Sequence, residues 1–184
     1  GKLIGDLPVS KKRYWGWFGA IAGPLAAILT AALFGLLGLV QLIKRRSLRK
    51  VDREILALGG LYIVLICLYV LFEKVIINYR PIIMPDETQP EASFPSSHTM
   101  LVCVVMGSAM TLISKYIKQA TLQNILLAVC DVVLGLTVAG RLLSGVHWFT
   151  DIMGGVLFSI MLLAIFGGIT STSASRKTNG KRRS

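Results

Sequence analysis

The chain has 184 residues, 54% of them hydrophobic and 16% charged, with a mean hydropathy of +0.68 and a formal net charge of +11. A chain this apolar cannot cover the surface of a soluble domain of its size, and it is far too rich in hydrophobes to be disordered. That leaves an integral membrane protein. The basic excess does not point to nucleic acid, because Lys and Arg fall in short clusters between long apolar runs, as in the loops of a multi-span protein.

Five apolar stretches, at 15–43, 55–77, 99–117, 122–143 and 152–169, are long enough or nearly so to cross the membrane. The hydrocarbon is about 30 Å thick and a helix rises about 1.5 Å per residue. Lipid offers the backbone no hydrogen-bond partner, and the stretches lack the polar alternation of barrel strands, so they are expected to be helices. The fold class is therefore an all-α, polytopic transmembrane helix bundle. Pro24 and the neighbouring glycines are expected to bend the first span. Cys67, Cys103 and Cys130 each sit inside an apolar run without metal-ligand spacing and read as small buried hydrophobes.

The connectors differ sharply in charge. Residues 44–53 carry six basic side chains, the third connector has Lys115 and Lys118, and the tail 171–184 has Arg176, Lys177, Lys181, Arg182 and Arg183. These segments alternate along the chain, so they share one side, and the positive-inside rule makes it cytoplasmic. Residues 78–98, which include Asp86, Glu87 and Glu91, and residues 140–151 then lie outside. The segment 1–14 must also be outside although it holds Lys2, Lys11, Lys12 and Arg13. A further span ahead of Gly1 is expected to carry it across. Trp15, Trp17 and Trp148 read as interface aromatics, Trp148 also as part of a lipid entrance, and the tail as a reader of anionic headgroups or a topology anchor. Asp131 falls mid-span, where it is expected to be neutral or turned toward a neighbouring helix.

Polar residues gather at the outer helix ends. Arg80-Pro81 follows the second span, Pro95-Ser96-Ser97-His98 opens the third, and Arg141, His147 and Asp151 lie between the fourth and fifth. Arginine presents a planar fork that pairs bidentately with phosphate oxygens. Ser96 and Ser97 suit the N-cap of the third span, whose first N–H groups make an anion site. Histidine transfers protons near neutral pH and can itself attack phosphorus. Asp151, one helical turn after His147, is placed to orient the imidazole. No carboxylate cluster of the kind that holds magnesium or zinc accompanies them.

These residues resemble the signatures of the type 2 phosphatidic acid phosphatase family, which includes membrane lipid phosphate phosphatases and vanadium-haloperoxidase-like relatives. Gly-Arg-Leu-Leu-Ser-Gly-Val-His-Trp-Phe-Thr-Asp at 140–151 resembles the third signature, Pro95-Ser96-Ser97-His98 the second, and Arg80-Pro81 the end of the first. The resemblance covers about 55–166 and implies a metal-independent, cofactor-free lipid phosphate phosphohydrolase with six spans and an outward-facing site. It implies His147 as the nucleophile forming a phosphohistidine, Asp151 as its partner and His98 as the acid for the leaving group. Arg80, Arg141 and the N–H groups around Ser96 and Ser97 would hold the phosphoryl oxygens. The chain departs from the pattern at three places. Seven residues before Arg80, where the family has lysine, stands Glu73, and Lys74 comes one position late. That shift turns a helical side chain by about 100°, so Lys74 reaches the same phosphate only if the helix unwinds near Asn78. Ser97 replaces a glycine and Gly140 a serine.

Two other functions compete with the enzyme reading. A small transporter needs polar residues along a path through the bilayer, and only Asp131 with a few Thr and Ser offers one. A non-catalytic lipid-phosphate-binding member of the fold is allowed by the departures, but binding alone has no use for two proton-transferring histidines. The expected substrate is a polyprenyl diphosphate, phosphatidylglycerol phosphate, phosphatidic acid or diacylglycerol diphosphate, cleaved at the outer face of the cell membrane.

Overall fold

The computed structural model describes residues 18–81, 88 and 91–181. A single π-helical turn, Phe18–Ala22, leads into α1 (Gly23–Arg45), and a short 3₁₀ turn, Leu48–Lys50, leads into α2 (Arg53–Lys74). Then come α3 (Ser97–Tyr116), α4 (Ala120–Ser144) and α5 (Phe149–Lys181). Among the described residues, five segments are long and apolar enough to span a bilayer: Gly19–Arg45, Arg53–Lys74, Ser97–Tyr116, Ala120–Ser144 and Phe149–Ser171. The chain is thus a multi-pass, all-α membrane protein. The segment 1–14, Trp15, Trp17, Asp86, Glu87, Arg182 and Arg183 lie outside the described residues.

Two helix boundaries differ from the sequence expectation. Pro24 occupies the first turn of α1, where its fixed φ suits a helix. The change of winding falls before it, in the π-turn. α5 continues past 169 to Lys181, because 170–181 contains no proline to stop it.

α3 forms the centre, and the other four spans pack around it. Met100, Val102, Val104, Val105, Met106, Ala109 and Leu112 of α3 meet Leu58, Leu61 and Leu65 of α2 and Leu162 and Phe166 of α5. Large apolar side chains also cover the outside, such as Leu29 at 62% and Ile63 at 65% exposure, as a surface meant for lipid requires. In lipid the helices are held by close packing more than by the hydrophobic effect, so small residues sit where they cross. A Cβ on Gly23 of α1 would collide with Thr137 of α4, and one on Gly107 of α3 would collide with Leu163 of α5. Among the described residues, Asp131 is turned neither into the core nor onto a neighbouring helix. It is exposed on the outer face of α4, because the inward positions there belong to Cys130, Thr137, Gly140 and Arg141.

Where α1 turns into α2, charges are closed into pairs. Arg45 meets Asp52 at 2.9 Å, Gln41 donates to the other Asp52 oxygen at 2.9 Å, and Lys115 pairs with buried Glu54.

Candidate active site

The site is assembled at the opposite helix ends. α2 stops at Lys74, after which the chain runs extended to Tyr79, which forms an isolated antiparallel bridge with Ala92. Backbone bonds from Arg80 N–H to Glu91 O (3.0 Å) and from Ser93 N–H to Asn78 O (2.8 Å) hold Arg80 beside 91–93. α4 ends at Gly145, whose φ of +70° is the left-handed turn that glycine adopts without strain. That turn sends His147 back under Arg141, and Asp151 enters the first turn of α5.

Glycines let these segments touch. A Cβ on Gly19 would stand 2.9 Å from the Arg141 backbone nitrogen, so the π-turn lies directly on the end of α4. One on Gly155 would stand 2.9 Å from Ser96 O, and one on Gly154 would collide with the Phe94 ring. The loop carrying the second motif therefore rests on the backbone of α5.

The buried centre is one connected network. Arg141 Nη2 donates to His147 Nε2. His147 Nδ1–H then donates to Ser93 Oγ at 3.1 Å, and Ser93 Oγ–H donates to Asp151 Oδ2. Trp148 N–H donates to the same carboxylate oxygen at 3.0 Å. His147 Nδ1 and Asp151 Oδ2 are 3.8 Å apart, beyond a hydrogen bond, so Ser93 joins them. Ser93 is missed by sequence reasoning because a serine two positions before a Pro-Ser-Ser-His run looks like any turn serine. Its 1% exposure, invisible in sequence, distinguishes it.

The structure brings Arg80, Arg141, His98, His147 and Asp151 into one neighbourhood, where the charges of Arg141, Arg80 and His98 all act on His147. Ser97 and His98 line a 330 Å³ cavity together with Arg80, Glu73, Glu91 and Tyr69. Ser96 does not line that cavity. Its N–H is donated to Asp151 O at 2.9 Å, its Oγ accepts from Thr99 at 3.0 Å, and it makes no side-chain cap bond. Lys74 is exposed at the end of α2 and lines none of this cavity, whereas Glu73 does. Arg80 pairs with Glu91 at 3.0 Å. The Nε atoms of Arg80 and Arg141 and the Oδ1 of Asp151 are buried without a hydrogen-bond partner.

Burial pushes the His147 imidazole down to about 3, and the positive charges of Arg141 and Arg80 push the same way. The ring is neutral at physiological pH. With Nδ1–H given to Ser93, the lone pair is on Nε2, facing Arg141.

A second cavity of 330 Å³ adjoins the first and shares Tyr69, Ser97, His98 and Met100 with it. Its other walls are apolar: Pro24 and Ile28 of α1, Leu65 and Ile66 of α2, and Leu101. Ile28 and Ile66 are on the lipid-facing surface, at 55% and 61% exposure. A polar and an apolar compartment therefore meet at His98. Among the described residues, no group of three or more His, Cys, Asp or Glu converges as a metal site would require.

A membrane-embedded helix bundle with two arginines, two histidines and an aspartate at one end defines a narrow class of protein. Residues 54–173 match the model of the PAP2 superfamily, and the chain belongs to that superfamily. Its fold is similar to the crystal structure described as the first transmembrane PAP2 type phosphatidylglycerolphosphate phosphatase from Bacillus subtilis. The TM-score is 0.66 and the identity 19%, over 92% of this chain and 81% of that one. No curated protein sequence matches the chain.

Proposed function

We propose that the protein is a metal-independent lipid phosphate phosphatase working through a phosphohistidine on His147. The observation that carries this reading is the pair of buried guanidinium Nε donors left without partners beside a neutral histidine. Buried cationic donors call for an anion, and a phosphoryl group held by Arg141 lies against His147 Nε2, the nitrogen that Arg141 faces.

In this reading Nε2 attacks phosphorus, forming an N–P bond as the P–O bond to the lipid breaks, and His98 gives its proton to the departing oxygen. The imidazole gains positive charge, which reaches the Asp151 carboxylate through Ser93. Water then attacks phosphorus, passes a proton to His98 and breaks the N–P bond, which restores neutral His147 and releases inorganic phosphate. Arg80, Arg141 and the α3 start at Ser97 hold the phosphoryl oxygens. Ser96 supports the site through its bond to Asp151, and Lys74 stands outside the phosphate shell.

The apolar compartment beside His98 supports a lipid substrate, with its tail among α1 and α2 residues and its phosphate near Arg80 and His98. The basic connector at the far helix ends supports a site on the outer face of the cell membrane. Phosphatidylglycerol phosphate, the substrate named for the Bacillus subtilis relative, joins phosphatidic acid and polyprenyl or diacylglycerol diphosphates as candidates. One observation favours a binding-only reading: Glu73 and Glu91 line the cavity, and Glu91 holds Arg80.

The deciding experiment measures phosphate release from these lipids in detergent with EDTA, for wild type and His147→Ala. Release that survives EDTA and vanishes in the variant is expected. No release from folded wild type on any lipid would leave the binding-only reading. Release unaffected by losing His147 would assign the nucleophile elsewhere.

A further inference from the structure

Trp148 lies between His147 and the start of α5, and the proposed chemistry assigns its side chain nothing. Its main chain is held by Asp151 from two sides. Its N–H donates to Asp151 Oδ2 at 3.0 Å, and its carbonyl accepts from the Asp151 N–H at 3.1 Å. From that fixed base the indole Nε1–H donates to Tyr79 O at 2.9 Å, across 69 residues of sequence.

Tyr79 O and the Arg80 N–H belong to one planar peptide unit. Its N–H donates to Glu91 O at 3.0 Å while its carbonyl accepts from Trp148, so both ends of the plane are tied. α2 has already ended at Lys74, and Arg80 takes its place from these ties rather than from a helix. The Glu91 bond refers Arg80 to the loop before α3. The Trp148 bond refers it to the turn that carries His147.

Architecture alone has little use for the indole bond. Tyr79 and Trp148 are 51% and 49% exposed, so water can satisfy both groups when the bond is lost, and the bond adds little to stability. Water cannot supply a fixed separation between Arg80 and His147. We infer that Trp148 is a positioning residue, whose indole N–H sets the Arg80 guanidinium relative to His147 so that both meet one phosphoryl group. The inference rests on the proposed function in taking Arg80 as a phosphate ligand.

The test uses the whole chain purified in detergent. Trp148→Phe keeps an aromatic ring and removes the N–H, which is the only hydrogen-bonding group of the indole. A second variant carries 3-benzothienylalanine at 148, which keeps the outline of tryptophan with sulfur in place of the N–H. The readouts are hydrogen exchange across 75–80, Tm, and affinity for inorganic phosphate by calorimetry. Both variants are expected to exchange faster there, to melt with the wild type and to bind phosphate about five- to tenfold more weakly. With Arg80→Ala already in place, either change at 148 should cost no further affinity, because the positioned group is gone. Phe149→Leu, at a neighbouring aromatic 63% exposed, should leave phosphate affinity unchanged. Wild-type exchange or wild-type phosphate affinity in the benzothienyl variant would overturn the inference, whatever Trp148→Phe does. So would an undiminished loss in the Arg80→Ala background, or an equal loss in Phe149→Leu. Wild type that binds phosphate but releases none from lipid would remove the phosphatase reading alone. Wild type that binds no phosphate would overturn both.

Discussion

At the end of the bundle where α1 joins α2, Arg45 is held by Asp52 at 2.9 Å and Lys115 by Glu54. At the other end Arg141 is 3% exposed, its Nε has no partner, and its bonded neighbour is an uncharged imidazole. Arg80 at that end is paired with Glu91 at 3.0 Å, but no ion pair to Arg141 occurs among the described residues. A charge kept for architecture is neutralised where it stands, because an uncompensated buried ion costs stability. Arg141, the proposed phosphate ligand, is left with a buried donor to spare.

Substitutions at the open end should strike activity, and those at the closed end stability. The largest effect is expected from His147→Ala, with kcat for phosphate release falling by at least about 10³-fold. Arg141→Lys retains the charge and loses the planar fork; it should cost roughly 10²–10³-fold in kcat/KM, measured on the same lipid. Ser93→Ala should lower kcat by about 10–100-fold with little change in KM, since Ser93 positions His147 without facing the cavity. Partial recovery in Ser93→Thr would show that the hydroxyl matters, whereas equal loss in both variants would reduce Ser93 to packing.

The pH dependence of stability gives a subtler comparison. His147 titrates near 3 in the folded protein against the ordinary 6.5, so between these values the unfolded chain holds the extra proton. Stability should therefore fall as pH drops from 6.5 toward 3 and be flat above, with His147→Gln removing that part of the slope in detergent melts. The smallest effect falls at the closed end. Glu54→Gln should cost about 1–3 kcal/mol of stability and leave the activity of folded molecules unchanged. A loss of activity there would erase the distinction between the two ends.

Much of the fold and part of the site are legible in the amino-acid sequence. Lipid permits so few backbone solutions that apolar runs alone reveal the spans, and motif residues at helix ends imply a common face. The rest depends on distances across the chain. Ser93 and Asp151 are 58 residues apart, and no local pattern announces a serine between Asp151 and His147. Ser96 has the sequence of an anion-binding cap, but its N–H is spent on Asp151 O, a use that appears only when α5 is laid beside α3. Helix phase can place Lys74 only if the end of α2 is known. α2 ends at Lys74 itself, so Glu73 faces the cavity. The outward turn of Asp131 likewise follows from which neighbours α4 acquires.

Asp151 takes part in the site twice, with its side chain through Ser93 to His147 and with its main-chain carbonyl to the start of the helix bearing His98. The two histidines thus share one geometric reference although they belong to different spans. If the helices breathe within the bilayer, the proposed proton donor and the proposed nucleophile move together. A side-chain replacement at 151 would break one of these ties and spare the other. Such a variant should release His147 while the start of α3 keeps its place against α5.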